Sequence, residues 1–341
     1  MKTSQIKKFC ILFCLLLCLS GISAAAGSKE NEPARIFWPP PPASPRIFFV
    51  KNIPDHSVRN PSFWSRVGNL FSGKGRWSLN RPMDIDVAED GALYIADTGQ
   101  GEVIVYHPKT QRLKRIKQIN KKESLIAPID VAISEGILFI CDVELKKVFA
   151  LDAKGKVLFV LGEKEGILRP MGLFAKDHKL YIVDTAGSKI IVVDFQGKVL
   201  LTFGGPGKGD GQFNHPTYIC VGRDHKIYVS DTLNFRIQIF DPSGAYIKSI
   251  GKAGDGTGSF TRPKGLASDS FGHIYVVDAV FDNVQIFDEN KNFLLNFGTG
   301  GSSDGEFWLP AGVDIDKENF IYIADSYNQR ISVFQYAGGD E

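Results

Sequence analysis

The sequence predicts an all-β fold: a six-bladed β-propeller of four-stranded antiparallel blades, its last blade completed by a strand from the N-terminal side. Three observations carry this. A pattern with a period of about 45 residues recurs from Arg81 onward. Each copy reads as four short strands joined by tight turns, with no 3.6-residue apolar period. A lone strand-like run, "PRIFFVKNI", stands before the first copy, and the last copy stops one strand short.

Taken in order, residues 1–26 read as a secretory signal peptide. Lys2, Lys7 and Lys8 form a positive start, an apolar stretch runs from Phe9 to Leu19, and Ala24 to Ala26 offer a small-residue cleavage site before Gly27. The apolar stretch is short for a membrane span, and no later run matches it, so the mature chain is expected to carry no transmembrane segment. Leu17 before Cys18 opposes a lipoprotein signal, which would place a small residue there. The expected location is secreted, periplasmic or elsewhere in the cell envelope. Removing the leader takes away three lysines and no acid, which turns the formal charge of +2 into −1. A near-neutral chain opposes a dominant nucleic-acid role, since that needs a concentrated basic field.

Residues 27–45 form a proline-rich linker, in which Pro39 to Pro42 read as a stiff polyproline spacer. Residues 46–53 are the closing strand of blade six. Residues 54–80 are an insertion holding one short amphipathic helix, 61–71. Asn60 can cap it and Pro61 suits its first position, while Phe63, Trp64, Val67, Leu70 and Phe71 fall on one stripe. So long an insertion in a compact domain suggests a lid, a docking element or a plug. The propeller occupies 81–336, and 337–341 is a tail.

Within the propeller six segments align: "YIADTGQGEVIVY", "FICDVELKKVFAL", "YIVDTAGSKIIVV", "YVSDTLNFRIQIF", "YVVDAVFDNVQIF" and "YIADSYNQRISVF". Their shared aspartates are Asp97, Asp142, Asp184, Asp231, Asp278 and Asp325, and each copy opens on a proline, from Pro82 to Pro310. In the fourth copy "TYICV", "IYVSD", "RIQIFD" and "AYIKSI" alternate with "GRDHK", "TLNF" and "PSG", which is the grammar of a four-stranded meander. The pattern resembles the NHL repeat, most clearly at Tyr228–Phe240 and Tyr322–Phe334 and in the linkers "FGGPGKGDGQFNHP" and "FGTGGSSDGEFWLP". The first two copies depart from it: Glu102 stands where the motif has a basic residue, and the second copy lacks the asparagine. The resemblance implies a propeller with one blade per repeat.

In such a meander the second-to-third strand turns and the linkers between blades emerge on one face, here called the top. The repeat aspartates lie there and are read as structural, accepting backbone N–H bonds and pairing with the basic residue five on, which is Lys147, Lys189, Arg236 or Arg330. The glycine-rich linkers lack G-x-x-x-x-G-K-[ST] and are read as tight crossings, not phosphate cradles. Some six-bladed relatives, the peptidyl-hydroxyglycine lyases, hold zinc through histidines. Here His178, His225 and His273 fall in bottom turns of separate blades, with only His215 in a top linker, so no zinc set is expected. Cys141 and Cys220 sit in blades two and four and are expected to be free thiols.

Two residues past each proline the family favours glycine. Gly172, Gly265 and Gly312 obey, whereas Asp84, Asp130 and Tyr218 do not. These three, near the channel mouth, are the candidate ligand-binding residues, together with Phe63 and Trp64 of the insertion helix. Asp84 and Asp130, in neighbouring blades, are the one candidate pair for a metal, Ca²⁺ being the ion that acids and carbonyls would suit. No catalytic residue stands out. The leading expectation is a monomeric, non-catalytic binding or scaffolding propeller with a protein or peptide partner on its top face. The alternative is a divalent-cation-dependent hydrolase or lyase with its site at the channel mouth.

Overall fold

A computed structural model describes residues 36–55 and 77–338 of the chain. Five blades are contiguous meanders. Blade one comprises Pro82–Val87, Leu93–Asp97, Glu102–His107 and Arg112–Ile116; blade two, Pro128–Ser134, Ile137–Asp142, Lys147–Leu151 and Val157–Leu161; blade three, Pro170–Lys176, Lys179–Asp184, Lys189–Asp194 and Val199–Gly204. Blade four comprises Pro216–Val221, Ile227–Asp231, Arg236–Phe240 and Tyr246–Ile250; blade five, Pro263–Ser268, Ile274–Asp278, Asn283–Phe287 and Phe293–Phe297. Every neighbouring pair within a blade is antiparallel.

Blade six takes Val313–Ile315, Phe320–Asp325 and Arg330–Tyr336 from the end of the propeller and Ile47–Ile53 from its start. The closing strand runs antiparallel to Arg330–Tyr336, with Ile47 opposite Tyr336 and Ile53 opposite Ile331. Its two inward ends, Ile47 and Ile53, are buried. The edge that blade six would otherwise present is paired, which closes the ring.

The proline run departs from the sequence expectation. It is not a spacer. Phe37–Trp38 pairs with the closing strand as a fifth strand of blade six, Phe37 opposite Phe48 and Trp38 opposite Ile47. Pro39 to Pro42 lie in the turn between them, closed by Arg46 N–H donating to Trp38 O at 2.7 Å. Proline suits turn positions, where its fixed φ is already right and no ladder needs its missing N–H. Trp38 then packs its ring 6.0 Å from Phe297 and 5.8 Å from Phe334, across the boundary of blades five and six. A small two-stranded sheet, Gln118–Asn120 with Glu123–Ser124, decorates the linker from blade one to blade two.

The core is a ring of apolar layers, one between each pair of neighbouring blades. Strand alternation supplies both faces of each blade, so the middle strands are apolar almost throughout, as in Val276, Val277, Val284 and Ile286. The linkers into blades four, five and six each bury one phenylalanine, Phe213, Phe260 and Phe307. Gly298 shows why the linkers need glycine: its φ is +84°, and a Cβ there would collide with the Phe307 ring. Cys141 and Cys220 are buried free thiols, and burial pushes Cys220 up to about 12. Among the described residues no helix is long and apolar enough to cross a membrane.

Candidate functional site

The polar motif of the repeat is a clamp on the incoming linker. Asp231 accepts the Asn214 N–H at 2.7 Å, and Asn234 and Arg236 each bond its Oδ2 at 2.8 Å while reaching back to linker carbonyls at Gly207 and Gly209. Asp325, Asn328 and Arg330 repeat this in blade six. The same aspartate takes backbone N–H groups in the other blades, from Asn80 and Arg81 to Asp97 and from Thr261 and Arg262 to Asp278. The expected ion pair five residues on forms in blades four and six. Lys147 turns instead to Glu123. In blade one Glu102 is buried at the basic position, and Arg115 and Lys117 of the outer strand side compensate its charge.

The residue after the aspartate ties blades together. Thr98, Thr185, Thr232 and Ser326 each donate a hydroxyl to the repeat proline carbonyl of the next blade, at 2.5, 2.5, 2.8 and 2.6 Å. These bonds hold the first strands around a narrow hub.

At that hub the glycine rule and its exceptions acquire a physical meaning. Gly265 N–H donates to Ala311 O at 3.0 Å and Gly312 N–H to Met83 O at 2.9 Å, and a Cβ on either would collide with the facing blade. Blades five, six and one therefore meet backbone to backbone at this level. Carboxylates add further bridges between blades one and two and, lower down the seam, between blades six and one. Asp84 accepts the Val131 N–H at 3.3 Å, Asp86 accepts Ile133 N–H at 2.8 Å, and Asp314 accepts Val87 N–H at 2.8 Å. Asp84 lies beside Asp130, and Asp86 beside Asp314, close enough for each carboxyl to affect its neighbour. Burial, joined by mutual repulsion, raises Asp84 and Asp314 well above the carboxylate range and lifts Asp86 to about 7; burial chiefly raises Asp130.

The structure thus brings Asp84, Asp130 and Tyr218 to one level of the channel and buries all three, at 6%, 2% and 6% exposure. Tyr218 spans the hub from blade four to blade one and donates its hydroxyl to Met83 O at 2.8 Å. Below it lies a cavity of about 560 Å³, lined by the acids above and reaching the bottom turns at Arg223, Ser270 and Lys317. The two acids form its upper end, with Asp130 Oδ1 buried and unpartnered. Phe63, Trp64 and the helix 61–71 lie outside the described residues.

The histidines stay apart. His178 faces Glu135 and His273 faces Asp269, at 2.8 and 2.7 Å, in bottom turns of blades three and five. Among the described residues no group of three or more His, Cys, Asp or Glu is arranged to hold a metal ion.

The top face carries a feature that residue-by-residue reading missed. Trp308 and Tyr327, 53% and 44% exposed, pack with ring centroids 5.6 Å apart at a tilt of 43°, and the Arg81 guanidinium lies 5.3 Å from the Tyr327 centroid. Ile126, Leu168, Leu233 and Val280 are exposed at the equivalent positions of other blades. All fall two residues before a repeat proline or two after a repeat aspartate. Comparing those two columns across the repeats is the signal that would have found them.

Comparison with known proteins agrees with this architecture. A family model described as a six-bladed beta-propeller matches residues 214–281, and the NHL repeat model matches residues 307–334. The chain is a six-bladed β-propeller with an NHL repeat in its last blade. No curated protein matches it in sequence. Among solved structures it is similar to an auxiliary nutrient binding protein from Bacteroides thetaiotaomicron, at 13% identity over 76% of this chain and 70% of that one, with a TM-score of 0.59. It is also similar to a virginiamycin B lyase from Staphylococcus aureus, at 15% identity over 76% and 98%, TM-score 0.57. A gluconolactonase from Xanthomonas campestris follows at 13% identity over 76% and 86%, TM-score 0.59. At such identities the likeness is one of fold, and function must be argued from the site.

Proposed function

We propose that the protein is a non-catalytic binding propeller, exported by the leader at residues 1–26, that takes a protein or peptide partner on its top face. The observation that carries this reading is the exposed Trp308–Tyr327 pair on a backbone fixed by Asp325. Trp308 N–H donates to Asp325 at 2.8 Å and Tyr327 N–H to Trp308 O at 3.2 Å, so two large amphipathic rings are held in place without being buried. Rigid exposed aromatics of this kind anchor binding interfaces. The channel, by contrast, is spanned by Tyr218, and Asp84, Asp86 and Asp314 in it are engaged with backbone N–H groups. A photo-cross-linking residue at position 308 is expected to give a discrete adduct in the native envelope that the same residue at 225, on the bottom, does not give. Equal adducts from both positions, or a hydrolase or lyase turnover that depends on an added divalent cation and on Asp84 and Asp130, would replace this reading with another.

A further inference from the structure

The top face has a second property that the fold does not require. The residue before the repeat proline is Arg81 in blade one, Arg169 in blade three and Arg262 in blade five, so every second blade carries an arginine where its first strand starts at the top of the hub. Lys264, just past the proline of blade five, joins them. We propose that this hub is an anion site for an acidic, partly apolar peptide segment, with Arg81, Arg169, Arg262 and Lys264 supplying the cations. This deepens the binding reading above and rests on it.

Four observations support the assignment. First, the arginine backbones are clamped on both sides. Their N–H groups donate to Asp97, Asp184 and Asp278 at 2.9, 2.8 and 3.1 Å, and their carbonyls accept from Thr98, Thr185 and Ala279 at 3.1, 3.0 and 3.1 Å. Second, the cations are crowded and unneutralised. Among the described residues none of the four is within salt-bridge distance of an acid, although the chain places ion pairs readily elsewhere, as at Arg236 and Arg330. Burial, with Arg262 and Arg81 nearby, lowers Lys264 to about 8, and burial with Arg169 and Arg262 lowers His215, so these groups sense one another around the ring. Third, the top positions next to each repeat proline and just past each repeat aspartate include a single acid, Glu144. Fourth, the cations are framed by Ile126, Leu168, Leu233, Val280 and the Trp308–Tyr327 pair, all exposed. Cations held close together without an acid repel one another, Arg81 having only the Tyr327 ring beside it, and an incoming carboxylate would relieve that repulsion with charge-assisted hydrogen bonds.

The arrangement fits a peptide better than a nucleic acid. A phosphate backbone is followed by an extended basic track. Four cations confined to one hub inside an aliphatic rim suit a few carboxylates flanked by apolar side chains.

The test is a titration of the full mature protein with a labelled, end-capped oligoglutamate peptide, read by fluorescence anisotropy. The peptide is expected to bind, to weaken as NaCl is raised, and to lose roughly tenfold or more in affinity in R169Q/R262Q, the scale of one charged hydrogen bond or more. K264M is expected to act in the same direction, and R223Q, on the bottom face, to have no effect. Oligoglutamine should not bind, and millimolar inorganic phosphate should not displace the peptide. Unchanged affinity in an R169Q/R262Q protein of unchanged melting temperature would overturn the assignment. So would displacement by phosphate, which marks a small-anion site, or tighter binding of a single-stranded RNA oligomer. If oligoglutamate fails while the position-308 adduct persists, the anion site is wrong and the top-face reading stands. If the adduct itself is absent, the binding reading fails with it.

Discussion

Asp86 and Asp314 face each other across the seam between blades one and six, each also holding a backbone N–H of a neighbouring first strand. Burial, together with the charge of Asp84, raises Asp86 to about 7. A carboxyl raised in the folded state binds a proton that the unfolded chain, at about 3.9, has already released. Its contribution to stability is therefore present below about pH 4 and is lost as pH rises toward 7. Asp86→Asn keeps an acceptor for Ile133 N–H and offers Asp314 a permanent donor. The variant is expected to melt higher than the parent at pH 8, by about 2–4 °C for each kcal/mol gained, and to show a flatter Tm-against-pH curve between 4 and 8. Parallel curves for the two proteins would mean that Asp86 is already ionised in the fold. The repeat aspartates were legible as structural because the same residue returned at every period. The exceptions at Asp84, Asp130 and Tyr218 were legible as departures from that period. That Tyr218 reaches Met83 was not, since two residues 135 positions apart meet only through the radius of the closed ring. The charge of Glu102 found its partners in the same way, beyond the reach of any local pattern.

At the scale of elements, the closing strand was readable because blade six ran out of chain after Tyr336 while an unclaimed strand waited upstream. The fifth strand was not, because "FW" is too short to show alternation and four following prolines argue for a spacer. Truncation separates the two contributions. Removing residues up to 45 takes away Trp38, whose ring covers Phe297 and Phe334, and is expected to cost about 2 kcal/mol, below the range for a fully buried large side chain. Removing residues up to 53 also strips the partner from Arg330–Tyr336 and leaves an apolar strand edge open. That protein is expected to be oligomeric or aggregated by light scattering at temperatures where the shorter truncation remains monomeric. Indistinguishable melting of the two truncations would show that blade six does not need its fourth strand.

For the whole molecule, stability lies between blades more than within them, since each apolar layer is built from two neighbours and the hydroxyl clasps run from blade to blade. A closed ring of such layers has no terminal repeat from which to fray. The described propeller is expected to unfold in one step, with backbone circular dichroism and tryptophan fluorescence giving superimposable melts; two separated transitions would show that blades melt as independent groups. Closure also sets an order in time. Asn52 bonds Ser332, a residue 280 positions later, at 2.9 Å. At about 5–20 residues per second, roughly 15 to 55 s of synthesis pass between the two. Through that interval the edge of Ile47–Ile53 that Arg330–Tyr336 will cover stays open, an adhesive edge that the cell must shield or carry unfolded until the last blade arrives.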